Sequence, residues 1–323
     1  MAHETDLIAQ RYERFARQEA HGSSPVWERL ALGVAGSPQL LAFLASLPRE
    51  RRQPNLFLAA VRHVAGVPRD GQDMEAMVRT HAPRIRRVML SRTTQTNEPA
   101  RCSVLLPLLA RLNQPLALIE VGAAAGLCLL PDRYGYDYGC HRIEPPSPDA
   151  PCFRCRSSAT TPLPRTLPTV GWRCGLDLHP LDINRRSAMA WLETLVWPGQ
   201  EFRVKALRAA IAVARAHPPP IRRGDLCTDL PALAALAPQG MQLVIYHSAV
   251  LGYVGSQRAR DAFAETIGQI GAVWISNEAP SVFPQFAGSA PPPPGPGHFL
   301  LAINGTPVAW THAHGQSIEW FAG

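Results

Sequence analysis

Lysine is nearly missing from this chain: Lys205 is the sole lysine among 32 basic residues in a length of 323. The net charge of +7 is therefore carried by arginine. Spread over so long a chain, that excess is weak ground for a nucleic-acid partner; the basic patches Arg84 to Arg87 and Arg222-Arg223 leave RNA or DNA open as an acceptor, but no aromatic-interleaved basic motif supports it. No run approaches the roughly 20 uninterrupted apolar residues that cross a bilayer. Met1 to Gln10 are polar where a secretory leader is apolar, so a cytoplasmic protein with no membrane partner is expected. The chain has no G-x-S-x-G elbow, Walker A loop or H-E-x-x-H pair, which removes the hydrolases, P-loop enzymes and zincins those motifs mark. No repeat of fixed period is visible, which argues against solenoids and propellers.

Seven cysteines form an odd set in a chain too large to need covalent staples, so free thiols are expected. Cys152-x-x-Cys155 has the spacing of a metal knuckle, but Cys140 and Cys174 do not form a second such pair, and the reading is ordinary thiols with no metal. His312 and His314 lack a neighbouring carboxylate that would strengthen a metal edge.

With 46% hydrophobic residues the chain can bury a large core, and two domains are expected. Residues 1–95 show helical spacing (Leu7, Tyr12, Phe15; Leu40, Leu41, Leu44; Leu56, Val61, Val64) broken by prolines, and predict four to five helices. Residues 96–323 predict a Rossmann-like α/β domain. Leu116 to Val121 is a buried strand, 131–170 an inserted loop or short β-ribbon without helical period, and Trp172 to Leu178 a second strand. A long helical stretch is divided by Pro198 and Gly199; further strands are expected at Ile221 to Leu226, from Met241, and at Gly271 to Ser276. Alternation of strands and helices favours a mostly parallel sheet. Asn304-Gly305 between two apolar runs predicts an antiparallel hairpin at its end.

The segment Glu120-Val121-Gly122-Ala123-Ala124-Ala125-Gly126 predicts a glycine-bearing turn from strand into helix, where a ligand can approach backbone amides. Alanine at position 124 takes the place of the glycine that makes room for a pyrophosphate, which disfavours a nicotinamide oxidoreductase. Asp177, with Asp182 as competitor, and Asp225 end the next two predicted strands, where carboxylates can accept from ribose hydroxyls and from an adenine amino group. Helix capping is the alternative for each. Tyr246, His247 and Ser248 end the fourth strand; His247 is the candidate general base, with a buried, backbone-bonded ring as the alternative. Asn277-Glu278, after the fifth strand, is equally ambiguous.

Thr96-Asn97-Glu98 with Arg101, Leu118 to Gly126, Asp132-Arg133-Tyr134, Tyr136-Asp137-Tyr138, GLDLHPLD at 175–182, Leu195-Val196-Trp197-Pro198, Gly224-Asp225 and Tyr246 to Val250 together resemble a bacterial family of unknown function. The resemblance covers nearly the whole chain. Its members look like class I S-adenosylmethionine-dependent methyltransferases with an added N-terminal helical domain. The resemblance implies a cofactor pocket at Glu120, Gly122, Ala124, Gly126, Asp177 and Asp225. Asn97, Glu98 and Arg101 would line it, or serve as cap and hinge. The expected activity is methyl transfer to a small or otherwise unidentified acceptor beside Tyr246, His247 and Ser248. A catalytically silent nucleotide-binding or interaction module on the same fold is the alternative.

Overall fold

The computed structural model describes residues 2–322, and the chain forms two compact units. The first comprises the chain up to Thr96 together with Arg186–Lys205; the second comprises Asn97–Arg185 and the chain from Ala206 on. The return of 186–205 to the helical unit is not foreshadowed by the sequence pattern, because its helical period is the same on both sides of the boundary.

The first unit is helical: Ala2–Phe15, Pro25–Ala35, Pro38–Ala45, Pro54–Ala65, Gly71–Ser91 and Arg186–Leu195. Proline opens three of these helices, at a position whose N–H would have no partner in any case. Ser24, Ser37 and Asp70 cap helix starts by accepting from Trp27, Leu40 and Asp73 amides. Tyr12, Trp27, Leu30, Leu44 and Phe57 fill the core. Arg62 donates to the Thr194 and Val196 carbonyls, and the Trp191 indole to the Thr93 carbonyl at 2.8 Å, so 186–205 is held by hydrogen bonds as well as apolar contact.

The second unit contains β1 Leu116–Val121, β2 Gly135–Asp137, β3 Arg142–Ile143, β4 Cys152–Arg154, β5 Arg156–Ser157, β6 Val170–Asp177, β7 Ile221–Arg223, β8 Gln242–Ser248, β9 Val273–Glu278, β10 His298–Ile303, β11 Thr306–His312 and β12 Ser317–Trp320. The large sheet has the order β5-β12-β11-β10-β9-β8-β1-β6-β7. Strands β7, β6, β1, β8 and β9 are parallel; β10, β11 and β12 form an antiparallel meander beside β9. The insert supplies the small sheet β3-β2-β4 and the edge strand β5. Strand β1 is buried throughout, as its continuous apolar run requires. The chain leaves β1 toward β6 and β7, then returns to lay β8 on the other flank of β1. That reversal puts a topological switch point between β1 and β8, the place where open α/β sheets form a crevice at their strand carboxyl ends. Among the described residues no helix is long and apolar enough to cross a membrane.

One expectation fails locally. No α-helix follows the turn at Gly126; two short 3-10 turns, Leu127–Leu129 and Pro131–Arg133, take its place. Pro131 has no N–H to extend a helical ladder. The Leu127 and Pro131 carbonyls accept instead from the buried Tyr134 and Tyr136 hydroxyls, at 2.8 and 2.7 Å. Strand β12, short and partly polar, carries no clear strand signal in the sequence.

Candidate functional site at the strand carboxyl ends

The parallel register sets the candidate residues along one edge. Glu120 of β1 lies opposite Gly175 of β6 and Tyr246 of β8, and Asp177 closes β6 two residues further on. The Asp177 carboxylate accepts the Ala124 amide at 2.8 Å on one oxygen and the His179 amide at 2.7 Å on the other. Its backbone carbonyl receives Gly224 N–H, which brings Asp225 to the same edge. Asp225 is exposed and accepts the Cys227 amide at 2.7 Å. Both aspartates therefore hold turns; Asp225 also keeps a solvent-facing carboxylate.

The glycine-bearing turn is closed by the protein itself. The Gly122 and Ala123 amides bond the Leu176 carbonyl, Gly126 bonds Ala123, and Asn97 Oδ1 accepts from both Ala125 (3.2 Å) and Leu127 (2.9 Å). With Ala124 on Asp177, every amide from 122 to 127 is engaged, so the expected amide cradle for a ligand is absent. The glycine at 122 has a packing reason: its φ is +72°, and a Cβ there would lie 2.3 Å from Val250 Cγ2. Ala124 also has positive φ, at 51°.

Glu120 is different. It is 6% exposed, and its Oε2 is buried without a hydrogen-bond partner. Burial first, then the Cys128 thiol and the Asp177 carboxylate, push its carboxyl well above the usual carboxylate range, and Arg101 offsets part of this. A buried polar oxygen without a partner costs about 1–3 kcal/mol, and such groups cluster where ligands bind. Around it the Tyr246 hydroxyl donates to the Cys128 carbonyl at 2.9 Å, and the Cys128 thiol to the Glu98 carbonyl at 3.2 Å.

His247 does not offer a free nitrogen. Trp274 Nε1 donates to its Nε2 at 2.9 Å, which fixes the proton on Nδ1, and Nδ1 then donates to Glu278 Oε1 at 2.8 Å. The ring is fully buried, so the general-base expectation does not fit it. The same Glu278 oxygen accepts the Val250 and Leu251 amides at 2.9 and 3.1 Å. His247 thus belongs to a clamp that shapes the turn after β8. Asn277 donates to Ser248 Oγ at 3.0 Å and accepts from Thr311 at 2.7 Å. Arg101 donates to the Ser248 and Ala313 carbonyls, and Glu98 Oε1 accepts the Ala100 amide. Asn97, Glu98 and Arg101 therefore brace turns at this edge.

The sequence reading passed over Trp274 and Cys128, and left Glu278 ambiguous. A mid-strand tryptophan looks like ordinary core, and only its register opposite Ile245 of β8 brings its indole to the next ring along. Among the described residues no group of three or more His, Cys, Asp or Glu is placed to hold a metal ion. Cys155 is buried and its thiol is pushed up to about 12 by burial, whereas Cys140 and Cys227 are exposed.

A family model described as an uncharacterized protein conserved in bacteria (DUF2332) matches residues 9–320. The chain belongs to this family. No curated protein and no solved structure matches the chain. The match spans both units.

Proposed function

We propose that this family member binds S-adenosylmethionine at the carboxyl edge of β1, β6 and β7 and transfers its methyl group to an acceptor. The observation that carries the reading is the unpartnered, buried Glu120 Oε2 beside a switch point. The cofactor's chemistry suits that edge. It is rich in donors and carries positive charge, and the edge offers Glu120, Asp177 and the exposed Asp225 as acceptors. An anionic dinucleotide would meet the Asp177 and Asp225 carboxylates with repulsion, and the engaged amides of 122–127 leave its pyrophosphate nothing to bind.

When bound, the cofactor supplies an electrophilic methyl group. The protein's part is to bind, orient and exclude water, with the Glu278 clamp holding the turn after β8 in place. Because His247 is committed to Trp274 and Glu278, the acceptor reacts in a form that needs no proton removed by this ring. A cation beside Glu120 favours its ionised form, so binding should release a proton.

Isothermal titration of S-adenosylmethionine, S-adenosylhomocysteine and NADH in two buffers of different ionisation enthalpy tests this. Expected are micromolar binding of the first two, none of NADH, and proton release that disappears in Glu120→Gln. Absence of binding by the folded protein would refute the proposal. A catalytically silent binding module is the second reading. It is favoured by the engagement of both His247 nitrogens and of the Tyr246 hydroxyl within the protein. Binding without turnover over a panel of acceptors would support it.

A further inference from the structure

The charge of the chain is not spread evenly. The first unit holds 17 Arg and Lys against 11 Asp and Glu, and the second 15 against 14. All but one of the seven excess positive charges thus belong to the helical unit.

Within that unit the excess concentrates on one stretch. Between Glu75 and Glu98 no acidic residue occurs, while Arg79, Arg84, Arg86, Arg87 and Arg92 do. Helix Gly71–Ser91 buries Met74, Val78, Ile85 and Met89. The arginines at 79, 84, 86 and 87 are exposed on its remaining surface. None of them makes an ion pair among the described residues; the nearby acids Asp73 and Glu75 are taken by Arg69 and Ser37. Arg86 is steadied by donating to Ser46 Oγ and the Ser46 carbonyl, at 2.9 and 3.1 Å. Arg51 donates to the Arg92 carbonyl at 3.0 Å, which adds a further guanidinium beside the end of the helix.

Beyond the bonds of Arg86 to Ser46, neither helix chemistry nor packing accounts for this arrangement. Arg84 and Arg87 are three apart on one face, where like charges destabilise by about 0.2–0.5 kcal/mol. The helix dipole rewards cations only within its last turn, and that turn contains no basic residue. An anionic partner would offset the repulsion. Guanidinium forks pair bidentately with phosphate, and Arg84, Arg86 and Arg87 lie together after the kink at His81, enough cations for about three phosphates of a duplex strand.

We propose that this arginine face binds the phosphate backbone of a duplex nucleic acid, without reading bases. The absence of exposed aromatic rings among these arginines argues against stacking on single strands. A membrane surface is the poorer fit, because the apolar side of the helix is buried and Leu90 is the single large apolar residue exposed on this part of it.

The test is fluorescence anisotropy of a labelled 20-base-pair duplex, as DNA and as RNA, with the full-length protein at 50–200 mM salt. Compared are the native chain, Arg84→Glu/Arg87→Glu, and the charge-matched Arg165→Glu/Arg258→Glu on exposed positions of the second unit. Expected is micromolar binding of either duplex, a log–log salt slope near −3 for about three phosphates, and at least tenfold weakening in the first variant only. No binding at 50 mM salt, equal weakening in both variants, or binding to phosphatidylserine vesicles in preference to either duplex would overturn the proposal.

Discussion

Replacing Glu278 by alanine should cost more than any other single change at the sheet edge. One carboxylate oxygen there takes three donors: His247 Nδ1 at 2.8 Å, Val250 N at 2.9 Å and Leu251 N at 3.1 Å. Glu278 is 3% exposed, so water does not readily replace that oxygen. Each stranded donor costs about 1–3 kcal/mol. The imidazole cannot escape by changing tautomer, because its Nε2 already accepts from Trp274, so the expected loss is about 3 kcal/mol or more, a large share of the 5–15 kcal/mol that typically separates folded from unfolded protein. Glu278→Gln keeps an acceptor oxygen in place and forfeits only the charge assistance, about 1–2 kcal/mol. Urea unfolding followed by tryptophan fluorescence reads both variants. The reasoning fails if alanine is tolerated within about 0.5 kcal/mol, the range of an inconsequential surface change, or if glutamine is as damaging as alanine.

Three other outcomes are expected. Gly122→Ala, at φ +72° and 2.3 Å from Val250 Cγ2, should lower stability by about 2 kcal/mol or more, and Val250→Ala should recover part of it in a thermal-unfolding double-mutant cycle. Because the Glu120 carboxyl lies well above its ordinary range in the folded chain, the native state holds a proton that the unfolded chain has released. Stability is therefore lost as pH rises above the ordinary carboxylate range toward the folded value, and Glu120→Gln should abolish that loss in unfolding curves recorded from pH 4 to 8. A thiol reagent should modify Cys140 and Cys227 promptly in the native protein, and Cys155, Cys102, Cys128 and Cys174 only on unfolding.

Much of the architecture could be read from the chain itself. The apolar run 116–121, the proline-punctuated helices and the Asn304-Gly305 turn each carry a local signal that the fold obeys. The site was legible as an address rather than as chemistry. Asp177 stands at a strand end and Asn97 is singled out only by the family resemblance; their acceptor oxygens meet backbone amides tens of residues away, and sequence spacing carries no record of that distance. His247 reads as a candidate base because its type suggests it; only the pairing of β8 with β9 shows its two nitrogens engaged. The arginine patch 84–87 is visible in the sequence, but that nearly all of the +7 belongs to one unit is not, because it depends on the unit boundary.

The most direct test of S-adenosyl binding is a crystal structure of the full chain with S-adenosylhomocysteine. The expected result is the nucleoside at the carboxyl ends of β1, β6 and β7, with a ligand donor within hydrogen-bond distance of Glu120 Oε2. A ligand bound elsewhere, or a Glu120 oxygen that still meets only water or nothing, would contradict the account.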